Sequence, residues 1–75
     1  MDNLDLALEL IQRAKRERNR INTLNKMLEV ARQKPGYNWN VRMEIESNFD
    51  GGLPRKYVVN DSLKMARRIL KEEYI

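Results

Sequence analysis

Neither cysteine nor histidine occurs among the 75 residues, and glycine and proline together account for only five positions. Without cysteine there is no disulfide and no thiolate metal site to reinforce a small core. Without histidine the commonest general base, the physiological-pH switch and the usual zinc ligand are missing too. These absences argue against an enzyme, and the chain calls for no cofactor and no metal. No stretch is long and apolar enough to span a bilayer. The N-terminus carries Asp2 and Asp5 in place of a basic leader, so the sequence reads as a cytoplasmic protein.

Seventy-five residues make a single domain, 1–75, close to the lower limit at which one core sustains a fold. The net charge is +4. The excess sits in the first 34 residues, with eight Lys/Arg against five acids, and in the last 16, with four against three. Such a balance suits nucleic acid, an acidic protein surface or plain solubility.

No Gly or Pro precedes Pro35, and the composition up to that point is rich in strong helix formers. One long helix is therefore expected from about Asn3 to Gln33. At about 100° per residue, Leu6, Leu10, Ala14, Ile21, Leu24, Leu28 and Ala31 form one stripe, the expected intramolecular face. Leu4, Ala7, Leu8 and Ile11 form a second stripe beside it. Together they widen the apolar arc beyond what one packing face needs. The pattern lapses over Lys15–Arg20, where the helix is exposed, bends or holds an anion.

From Tyr37 the period becomes two. Tyr37, Trp39, Val41, Met43 and Ile45 alternate with Asn38, Asn40, Arg42, Glu44 and Glu46, which predicts a strand with one wet face and Trp39 inward. Ser47 to Gly52 reads as the turn, Asp50-Gly51-Gly52 supplying positive φ. A second strand is expected over Arg55–Val59, then a last helix capped by Asn60, Asp61 or Ser62. Leu63, Ala66, Ile69, Leu70 and Tyr74 make its inward face. The expected fold class is α+β, a β-hairpin between two helices (αββα). A two-stranded sheet is marginal alone, and about 46 Å of first helix is more than the rest of the chain can cover. A homodimer is expected, built by antiparallel or crossed, coiled-coil-like pairing of the first helices through Leu4, Ala7, Leu8 and Ile11.

Catalytic constellations are not supported. Ser47 and Ser62 have no histidine to activate them. Gly51-Gly52 lacks the Lys and Ser/Thr of a phosphate loop. Glu44 and Glu46 belong to the wet strand face, and Asp2, Asp5 and Glu9 suit a helix N-terminus. Two basic groups remain as binding candidates: Arg13, Arg16 and Arg20 on one face of the first helix, and Lys64, Arg67, Arg68 and Lys71 on the last. Both also read as solvated faces, the first softened by Glu9–Arg13 and Arg13–Glu17 spacings.

The helix–strand–strand–helix order, with Lys64, Arg67 and Arg68 early in the last helix, resembles the double-stranded-RNA-binding domain at the level of element order. That family has three strands, and its basic cluster directly follows a Gly-containing loop. The favoured functional reading is a small non-enzymatic regulator, homodimeric, that covers a surface of another macromolecule, as phage and mobile-element inhibitors do. The alternative is direct nucleic-acid binding through the two basic faces.

Overall fold

The computed structural model describes residues 2–74, with side chains described through residue 72. Three helices account for the ordered elements: α1 (Asn3–Arg32), α2 (Trp39–Ser47) and α3 (Lys56–Tyr74). Among the described residues there is no strand.

α1 runs unbroken for 30 residues, about 45 Å. Asp2 caps it, its carboxylate accepting the Asp5 N–H at 2.8 Å. Pro35 and Gly36, the latter at φ 86°, end it just beyond Arg32. The helix runs through Lys15–Arg20 without a break. The return arm is split into α2 and α3, laid end to end along α1. Val41 and Ile45 of α2 line a groove with Met27, Val30 and Ala31. The turn after α2 reaches Arg20, and α3 carries the chain back beside the first two-thirds of α1.

The inward face of α1, against α3 over most of its length and against α2 near its end, follows steps of three and four. Ala7, Ala14, Leu24 and Leu28 are buried, and Leu10, Glu17, Ile21 and Ala31, which fall between them in that rhythm, are half-buried. On α3 the sequence is Val59, Ser62, Ala66 and Ile69. A 3.5-residue period is that of a left-handed coiled-coil seam, which keeps two helices in register over their full length. Alanine and serine at these positions let the helix backbones approach closely. The cost is a thin core in which no large side chain is fully buried.

The expected β-hairpin is therefore corrected, and the fold is all-α. Over 39–47 the two periods compete, since Val41 and Ile45 are both alternate strand positions and an i,i+4 helical pair. Asn38 decides locally by capping α2, its Oδ1 accepting the Val41 N–H at 3.1 Å, and Arg42–Glu46 adds an i,i+4 ion pair at 2.7 Å. Only half of the supposed inward face turns inward. Trp39 is 66% exposed, Met43 is exposed as well, and Tyr37, Val41 and Ile45 are half-buried.

The second expected strand, Arg55–Val59, is replaced by the start of α3, whose first turn takes in Tyr57, Val58 and Val59 despite their β preference. A helix here places Val59, Ser62 and Ala66 on the seam, while a two-stranded sheet would stand alone. Asn60, Asp61 and Ser62 are thus interior helix positions and not caps, and Ser62 is buried. The expected inward face of the last helix holds for buried Ala66 and half-buried Leu63, Ile69 and Leu70; the side chain of Tyr74 lies outside the described residues. With no strand present, the element-order resemblance to the double-stranded-RNA-binding domain falls as well.

The molecule measures 56 × 18 × 13 Å with a radius of gyration of 16.8 Å, against about 11 Å for a compact 75-residue chain. Its accessible surface is 6199 Å², whereas a compact monomer of 9.0 kDa exposes about 4,850 Å². Leu4, Leu6, Leu8, Ile11, Met27 and Val30 of α1 are all exposed.

Candidate interaction surfaces

The sequence groups Arg13, Arg16 and Arg20 as one basic face; all three line one groove on the flank of α1, but Arg20 is held by partners within the fold. Arg20 is committed internally. Its Nη1 donates to Glu17 Oε1 at 2.6 Å, and its Nη2 donates to the carbonyl oxygens of Asp50 and Gly52, 3.2 Å to the former. Its guanidinium carbon lies 5.6 Å from the centroid of the Phe49 ring. A planar fork with five donors meets three oxygens at once, which a lysine does not reproduce. Arg20 therefore ties the α2–α3 turn to α1. A Cβ on Gly51 would stand 3.2 Å from its Nη2, a tight contact that the arginine would have to relieve by shifting a few tenths of an ångström.

Arg13 and Arg16 are exposed and line shallow grooves on the flank of α1, one with Leu6, Glu9, Leu10 and Gln12, the other with Glu17, Arg20 and Val58. Glu17 pairs with Arg20, and the expected Glu9–Arg13 and Arg13–Glu17 pairs do not form among the described residues. The other ion pair among those residues is Arg42–Glu46. Its hydrogen bond to Glu46, and that carboxylate's charge, raise the Arg42 pKa above its ordinary value. The Arg42 guanidinium also lies 5.7 Å from the Trp39 ring.

Lys64, Arg67, Arg68 and Lys71 are exposed. At about 100° per residue they occupy an arc of roughly 100° on the side of α3 turned away from the Val59–Ser62–Ala66 seam. Tyr57 shares that side, 56% exposed, with the Arg55 guanidinium 5.9 Å from its ring centroid. The α1 and α3 cations do not merge, since one set flanks the hairpin groove and the other projects from its back.

The second apolar stripe is divided too. Ala7, expected at a dimer interface, is 1% exposed and sits in the seam against the molecule's own α3. Leu4 and Leu8, at 51% and 52%, and Ile11 stay open to solvent. Sequence reasoning missed a further apolar groove between α1 and α2, lined by Met27, Val30, Val41 and Ile45 and edged by Lys26 and Lys34. Its signal was the i,i+4 spacing of Val41 and Ile45, hidden by their equal fit to a strand.

Among the described residues no three acids gather as a metal site, and no helix is long and apolar enough to cross a membrane. No family model, curated protein or solved structure matches this chain.

Proposed function

We propose that this chain is a small, non-enzymatic binding protein that pairs with itself and acts by covering a surface of another macromolecule. The observation that carries the reading is the surface left over by folding. The protomer exposes roughly 1,350 Å² more than a compact chain of its mass. Removing that excess from each of two copies buries about 2,700 Å², within the range of obligate homodimers.

Leu4, Leu8 and Ile11 are the self-pairing surface. They lie on one arc of α1, beside the seam and clear of α3. An antiparallel crossing that sets Leu8 against Ile11 of a second copy keeps the Lys15 and Arg18 of the two copies, which share that arc, at opposite ends of the contact. A parallel crossing would stack like charges.

Light scattering at high micromolar concentration tests this directly. The expected mass is about twice 9.0 kDa, and Leu8→Glu combined with Ile11→Glu should return it to the monomer. A monomer mass for the unaltered chain removes the reading.

A further inference from the structure

The outward side of α3 is left unexplained by self-pairing. Lys64, Arg67, Arg68 and Lys71 are exposed, and none forms an ion pair with a described acid. Lys64–Arg68 and Arg67–Lys71 are like-charge i,i+4 neighbours, which repel. Asp61 and Glu72 stand at one edge of the arc without neutralising it. No described residue of the same chain covers this side, because α1 packs on the opposite one.

We propose that this face binds the phosphate backbone of a nucleic acid. From Lys64 to Lys71 the helix rises about 10.5 Å. Over that length of duplex axis one strand runs through about three phosphate spacings of 3.4 Å, and so offers about four phosphates. Four cations of a single sign thus meet a polymer of the opposite single sign at nearly matched linear density. A protein surface offers acids interspersed with bases, a poorer match for an unbroken run. Arginines at positions 67 and 68 add forked donors suited to phosphate oxygens.

Tyr57 extends the face, two turns before Lys64 on the same side, with its ring exposed and Arg55 beside it. A basic track that ends in an open aromatic is the arrangement that holds single strands, the ring serving as a stacking platform. The inference does not rest on the dimer, since this side is open whether or not α1 pairs.

The test is fluorescence anisotropy of the full chain with a labelled 30-base-pair duplex and a 30-nucleotide single strand, titrated between 50 and 200 mM salt. With four phosphates engaged, the log–log slope on duplex is expected near −3.6, a roughly 150-fold loss of affinity over that range. Arg67→Gln with Arg68→Gln should halve the slope and leave the far-ultraviolet circular dichroism unchanged, because both side chains are exposed. Tyr57→Ala distinguishes the two sources of phosphate. Selective weakening on the single strand identifies unpaired nucleic acid as the ligand, and no selective effect identifies the duplex. Undetectable binding at 50 mM salt, a slope untouched by the double substitution, or equal competition by polyglutamate at matched charge overturns the proposal. A monomeric but nucleic-acid-binding chain would remove the self-pairing reading and leave this one standing.

Discussion

Arg20 is the side chain on which the split return arm depends. Its hydrogen bonds reach residues 30 and 32 positions away in sequence, so it closes a long loop that backbone geometry alone would leave loose. Arg20→Ala is expected to cost about 1–2 kcal/mol, from three partly solvated charged hydrogen bonds and the contact with Phe49. For a chain of this size that is a melting-temperature drop of about 4–16 °C, measurable by thermal circular dichroism. Gly51 tests the same contact from the other side. Gly51 and Gly52 have nearly equal positive φ, 77° and 81°, but only a Cβ on Gly51 meets Arg20. Gly52→Ala should carry the left-handed conformational penalty alone, about 1 kcal/mol. Gly51→Ala should cost more, and equal losses in urea unfolding would show that the clamp yields freely.

The helices differ in how much of their stability is local. α2 has nine residues, too few to hold as an isolated helix in water. It depends on the Asn38 cap, the Arg42–Glu46 pair and the packing of Val41 and Ile45 on α1. Asn38→Ala should lower stability by about 1 kcal/mol. Amide exchange should then accelerate chiefly within 39–47, because α3 has its own seam. That seam is intolerant in the opposite sense. Ala14 and Ala66 are both 2% exposed, and enlarging either pushes the helices apart. Ala14→Leu is expected to destabilise by about 1–3 kcal/mol through overpacking, although it raises both hydrophobicity and helix propensity. A stabilised variant in denaturant melts would mean that the seam has room.

At the scale of the whole molecule, a rod 56 Å long and 18 Å wide has too much surface for its mass. Half of its buried apolar residues are alanines, with Leu24, Leu28 and Val59 as the larger members, so a lone protomer has little apolar burial to set against chain entropy. The proposed self-pairing would stabilise by mass action, and the melting temperature should then rise with protein concentration. A 100-fold increase over the range where dimer dominates should raise it by several degrees. A concentration-independent melt, read by differential scanning calorimetry, would indicate that the hairpin stands alone.

The sequence by itself determined α1 nearly to the residue, through its run of helix formers and the lack of breakers before Pro35, and it placed the glycine turn at 51–52. It also marked Leu4, Leu8 and Ile11 as apolar surface beyond the first stripe. What it assigned wrongly, as two strands, were segments too short for their period to be decisive. Residues 39–47 fit a strand or a helix equally, and Tyr57-Val58-Val59 leaned toward a strand. The long α1 settled both, because a helix laid along it pairs small seam residues at every three-and-four step, and a two-stranded sheet has no such partner. Tertiary structure alone moved Ala7 from an outer face to the seam and turned Trp39 outward. It took Arg20 out of the basic face for the same reason: its partners, the carbonyls of residues 50 and 52, come within reach only when the chain folds back.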